Sequence, residues 1–113
     1  MRGAIAKKST KDGDWRQVFP DRAGAWSLLL NKDPDTKGRT IAVRYTEGWE
    51  VLESVHDGTV EVLVLEGQFQ VGPIVYGPGD YFCVPGGVVH GPERALTDVR
   101  IIVISHGPLT PGP

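Results

Sequence analysis

Three histidines carry the widest chemical range in this 113-residue chain. An imidazole titrates near neutrality, so it can take up or release a proton, or ligate a divalent metal. His90 closes the run Gly79-Asp80-Tyr81-Phe82-Cys83-Val84-Pro85-Gly86-Gly87-Val88-Val89-His90. Pro85 has no N–H for a sheet ladder and belongs at a strand end. Gly86 and Gly87 permit backbone angles that a β-carbon forbids. The run therefore reads as a strand, a sharp turn, and a histidine that opens the next strand. His56 stands just before Asp57-Gly58, a favoured hairpin pair. Alternate residues of a strand share a face, so Ser54 and His56 point the same way.

Two imidazoles in one pocket suit Fe, Zn, Ni, Mn or Cu as ligands. They also suit work as general base and general acid, with Tyr45 or Tyr81 as a phenolic donor. Catalytic zinc sites typically use three protein ligands, so a metal needs a third here, from the chain or from a substrate. Glu61 is the best candidate. Regular pleating turns it to the face opposite the histidines, as an exposed rim residue, whereas a bulge near Gly58-Thr59 would turn it inward. Glu50 shares the parity of His56 but sits roughly 20 Å away along an extended strand. Glu53 has the wrong parity. His106 follows the last apolar run and reads as solvated. Cys83, in a strand before Pro85, reads as a core residue and not a nucleophile. Trp15, Trp26 and Trp49 read as packing residues or pocket walls.

The elements that must position these groups are nearly all β. In Thr40 to Tyr45, Ile41, Val43 and Tyr45 share one face, the period of a half-buried strand. Trp26 to Leu30 is apolar, and residues 33 to 38 are a turn. Trp49 to His56 and Val60 to Glu66 are expected as a hairpin around Asp57-Gly58. Val60 to Leu65 is expected to be a central strand. Glycines and prolines at Gly67, Gly72-Pro73 and Gly77-Pro78-Gly79 punctuate three more strands. Val99 to Ser105 is β-branched and is expected to close a barrel. No segment shows a sustained helical period with caps. Eight or nine short strands with regular turns predict a double-sheet jelly roll.

The spacing G-x5-P-x-G-x2-H, from Gly79 through Pro85 and Gly87 to His90, resembles the second motif of the cupin superfamily at every fixed position. The first cupin motif is matched in part. Gly48 opens it, Gly67 closes it, and His56 falls on its second histidine. Ser54 stands in place of the first histidine, and Val60 in place of the glutamate. The stretch Val60 to Phe69 with Gly79 to Pro92 is similar to small stand-alone cupins and to ChrR-type cupin-like domains. The resemblance covers roughly Thr40 to Ile104. It implies an all-β, small antiparallel jelly-roll β-barrel with His56 and His90 as metal ligands at its mouth. It further implies a metal-dependent enzyme on a small organic molecule, of dioxygenase, isomerase, lyase or decarboxylase type. The alternative is a non-catalytic barrel that binds or senses a small ligand or metal through a degenerate site. Some sugar-epimerising cupins work without metal.

Composition fits one domain over residues 14–106, with residues 1–13 and 107–113 as tails. Twelve basic and fourteen acidic side chains leave a net charge of −2, which argues against nucleic acid as partner. The single cysteine excludes an intramolecular disulfide and suits a reducing, cytoplasmic compartment. The N-terminus has charge but no apolar run of signal-peptide length. Nothing approaches the roughly 20 apolar residues that span a bilayer, so no membrane partner is expected. A homodimer is expected. Small cupins pair through an outer sheet face, and Trp26-Ser27-Leu28-Leu29-Leu30 is more apolar than a solvated edge should be.

Overall fold

Ile41, Val43 and Tyr45 alternate with Thr40, Ala42 and Arg44, which gives one strand two unlike faces. The computed structural model describes residues 5–11 and 13–109. In it this strand is the third of ten: β1 Arg16–Phe19, β2 Arg22–Lys32, β3 Arg39–Tyr45, β4 Glu50–Val51, β5 Val60–Glu66, β6 Phe69–Val71, β7 Ile74–Tyr76, β8 Tyr81–Val84, β9 Glu93–Ala95 and β10 Val99–Ser105. The described residues contain no helix, and so none long and apolar enough to cross a membrane.

The strands form two antiparallel sheets, a large one ordered β1-β2-β3-β10-β5-β8 and a small one ordered β4-β9-β6-β7. This is a two-sheet jelly roll. The expected barrel is not closed by hydrogen bonds. β8 stops after four residues at Pro85, which has no N–H to extend the ladder. β1, at the other edge, is irregular between Gln17 and Phe19. The strand expected to close a barrel, β10, instead lies mid-sheet between β3 and β5. Its β-branched residues account for that place. Ile101 pairs with Val43 and Val64, and Val103 with Ile41 and Val62, so one apolar layer runs across three strands.

The expected hairpin of Trp49 to His56 with Val60 to Glu66 does not form. β5 pairs with β10 and β8, while β4 pairs with β9 in the other sheet. The chain changes sheets here because Trp49 serves the opposite wall of the core. Its ring stacks 5.8 Å from Phe19 and 6.3 Å from Tyr45, and Tyr45 stacks 5.6 Å from Phe69. β5 is flanked on both sides, as its apolar run suggests. Only Val60, Val62 and Val64 are buried, while Leu63 and Leu65 face outward. The turn after β5 needs Gly67, which has a φ of 86°, and a β-carbon there would strike the Asp98 carbonyl.

The outer face of β2 and β3 is covered in part by the chain itself. Leu28 is buried against Gly13. The Trp15 indole donates to the Thr10 carbonyl at 3.0 Å. The Arg44 guanidinium lies 4.4 Å from the Trp15 ring and 5.5 Å from that of Trp26. So the strand whose apolar outer face suggested a partner chain receives cover from its own N-terminal segment. Residues 1–4, 12 and 110–113 of the expected tails lie outside the described residues. Within the C-terminal one, Leu109 packs against the core.

Candidate functional site

The turn after β8 aims the histidines. Gly87 has a φ of 80° and donates its N–H to the His56 carbonyl at 2.8 Å. Gly86 lies so close to the Asp57 carbonyl that no β-carbon fits. The chain from Pro85 to His90 is thereby clamped to the segment around His56. His90 does not open a strand, as expected, but forms an isolated bridge with Ser54: each N–H donates to the other's carbonyl, at 2.8 and 2.9 Å. That bridge extends the small sheet and turns both histidines toward its partner. Their ring centroids lie 5.3 Å apart, with an interplanar angle of 45°.

Both imidazoles line a cavity of about 250 Å³ between the sheets. Its walls are chiefly apolar, with Ile41, Val43, Val62, Phe82, Ile101 and Val103 from the large sheet. Its polar lining is Ser27, Arg39, Tyr45, Ser54, His56, His90 and Glu93. Glu93 carries no signal in the sequence. It lies on the three-residue strand β9, too short to show a period, and its register opposite Val51 and Val71 turns it inward.

The His90 Nε2 lies 3.6 Å from a Glu93 carboxylate oxygen, and both side chains are largely buried. Burial, then the neighbouring His56 charge, lowers the His90 pKa, partly opposed by the nearby Val88 backbone. Burial pushes the Glu93 carboxyl up to about 7. A neutral imidazole thus stands beside a carboxyl that still holds a proton near neutrality, the arrangement of a base and an acid in one site. Tyr45 also lines the pocket, and burial raises its phenol well above the ordinary range.

Glu93 makes stability depend on pH. Its pKa rises from 4.5 when free to about 7 when folded, so folding takes up a proton between those values. The native state is therefore least burdened by this group below about pH 4.5 and loses stability as the pH rises to about 7, by on the order of 3 kcal/mol. Glu93→Gln keeps the shape without the charge. It is expected to raise the melting temperature at pH 8 and to leave it nearly unchanged at pH 4.5. Equal melting temperatures for variant and wild type at pH 8 would show a solvated carboxylate.

Glu61 is not brought to the histidines. Regular pleating holds along this part of β5, where Glu61 pairs with Ile104 and Cys83, and no bulge at Gly58-Thr59 turns it inward. It sits on the outer face, accepts a hydrogen bond from the Tyr81 hydroxyl at 2.7 Å, and contacts the exposed His106 ring. Those two bonds hold its carboxyl below the usual carboxylate range, while Tyr81 is pushed up to about 12. Tyr81 is thus not a pocket donor. Cys83, expected in the core, is exposed on the same outer face, because Phe82 and Val84 take the inward positions. Glu50 lies 3.6 Å from Arg94, and none of the three tryptophans lines the pocket.

As metal donors, His56 and His90 provide two imidazoles. Ser54 and Val60 occupy the other positions that the sequence pattern marks. Among the described residues no three His, Cys, Asp or Glu side chains are placed to hold one ion. The residues do not make a complete metal centre.

Comparison with known proteins agrees with this architecture. A crystal structure of an RmlC-like cupin from Ralstonia eutropha JMP134 superposes with a TM-score of 0.81 at 17% identity, over 92% of this chain and 69% of that one. An acetylacetone dioxygenase from Acinetobacter johnsonii gives 0.76 at 19% identity, over 95% and 78%. Rhodobacter sphaeroides SigE in complex with the anti-sigma ChrR gives 0.72 at 20% identity, over 87% and 52%. At these identities the likeness is one of fold. No curated protein matches the chain. The family model for the ChrR cupin-like domain matches residues 5–110. The two-sheet jelly roll, the turn that presents His90 and this match over nearly the whole length place the chain in the ChrR cupin-like domain family.

Proposed function

We propose that this chain binds a small organic molecule between its sheets and moves a proton on it, a reaction of isomerase or lyase type. One observation carries the reading: two imidazoles, 5.3 Å apart, face a single cavity whose walls are mainly apolar. Apolar walls exclude water and strengthen every polar contact with the ligand. His90, neutral at neutral pH, takes the proton, with His56 beside it. Glu93, which holds a proton near neutrality, returns one. A second reading is a transition-metal enzyme in which His56 and His90 are two of the ligands. The buried His90 Nδ1, which has no hydrogen-bond partner, favours it. A third is binding without turnover.

One experiment separates these readings. Small organic molecules that bind by ligand-observed NMR are followed in D2O, with protein as purified and with protein treated with EDTA. Metal content is measured in parallel. Deuterium incorporation that survives EDTA supports metal-free proton transfer. Incorporation lost with EDTA and restored by Fe, Zn, Ni, Mn or Cu supports the metal enzyme. Binding with neither exchange nor turnover identifies a binding module.

A further inference from the structure

Among the described residues, three buried side-chain nitrogens have no hydrogen-bond partner: Arg39 Nε, Trp49 Nε1 and His90 Nδ1. Two of them, on Arg39 and His90, belong to residues lining the same cavity. Arg39 opens β3 with the parity of Ile41, Val43 and Tyr45, opposite the buried Ser105, and so points inward. The other arginines in the sheets have occupations. Arg16, Arg94 and Arg100 lie near carboxylates, and Arg22 and Arg44 lie over tryptophan rings. Arg39 has no ion pair among the described residues.

A guanidinium keeps its charge at any ordinary pH, and a donor left unsatisfied away from water is costly. Its planar fork of N–H groups matches a carboxylate. The cavity lining contains no lysine and no second arginine, which favours a singly charged group over a phosphate. The cavity, about 250 Å³, is smaller than the roughly 300–1,000 Å³ of sites for drug-sized ligands.

We infer that Arg39 anchors the ligand of this pocket, and that the ligand is a small organic monocarboxylate. Its carboxylate pairs with Arg39 from the large sheet. Its apolar body lies on Ile41, Val43 and Val62, and its reacting end meets His56 and His90 from the segments that extend the small sheet. The inference rests on the proposed role of the pocket and goes further by naming the ligand class.

The test compares benzoate with benzyl alcohol, and hexanoate with hexan-1-ol, by ligand-observed NMR on the full chain. Wild type is expected to bind each acid at least about 10-fold more tightly than its alcohol, the weight of a charge-assisted hydrogen bond. Arg39→Met removes the preference and leaves alcohol affinity within about two-fold, which also reports an intact pocket. Arg39→Lys retains part of the preference. If the methionine variant fails to fold, Arg39→Gln is read in its place. Equal binding of acid and alcohol by wild type, or a preference that survives loss of the guanidinium, overturns the inference and leaves the pocket's role standing. Binding of neither series at about 10 mM overturns both, since that marks an affinity too weak for a formed site.

Discussion

Alanine at His90 or His56 is expected to slow deuterium transfer to the bound molecule by at least about 100-fold, within the range set by a positioned acid or base. The melting temperature is expected to stay within a few degrees of wild type. The bridge between His90 and Ser54 uses only backbone groups, so alanine leaves it in place. Neither ring belongs to the central apolar cluster. The two residues are also expected to be non-additive, because they face each other across 5.3 Å and serve one reaction centre. Exchange rates measured by NMR for both single variants and the double variant, with thermal melts alongside, check this. Wild-type exchange in both single variants would place the chemistry elsewhere.

Alanine at Phe69 is expected to cost about 3–5 kcal/mol of folding stability. Typical domains have only about 5–15 kcal/mol in all. Phe69 is 1% exposed and lies in the same layer as Ala95, its partner on β9. Its ring ends the stack that runs through Tyr45 and Trp49 to Phe19. Removing it opens a void at the joint of the two sheets, and the flanking rings can refill that space only in part. Urea unfolding would show a lower midpoint with an unchanged slope. Phe69→Leu, closer in volume, is expected to cost under about 1.5 kcal/mol. A loss below about 1 kcal/mol for alanine would mean that the stack does not carry the core.

Much of this molecule follows from local rules. The alternation in Thr40 to Tyr45 sets which side of β3 is inside, because successive side chains of a regular strand point to opposite faces. Pro85 ends β8 for want of an N–H, and the glycines after it allow the close clamp onto the His56 segment. The convergence of His56 and His90 was legible for this reason: both sit at turns whose geometry is written in a few adjacent residues. The outward placement of Glu61 likewise follows from its parity on β5, one residue from Val60.

Pairing partners were not legible, since they depend on residues far apart in the chain. Asp57-Gly58 looks like a hairpin turn, yet β4 and β5 enter different sheets, because Trp49 is needed in the aromatic stack. β10 lies mid-sheet and not at a seam, because its inner residues meet apolar partners on both sides. Cys83 is outside because Phe82 and Val84 fill the inside. The all-β chain and the two histidines presented by tight turns are written in short stretches of residues, since these rest on backbone sterics within a few positions. That Glu93 joins them and that Arg39 faces the same cavity follows from the packing of the two sheets. Register between distant strands, and burial that leaves a charged group without a partner, exist only once the two sheets are packed together.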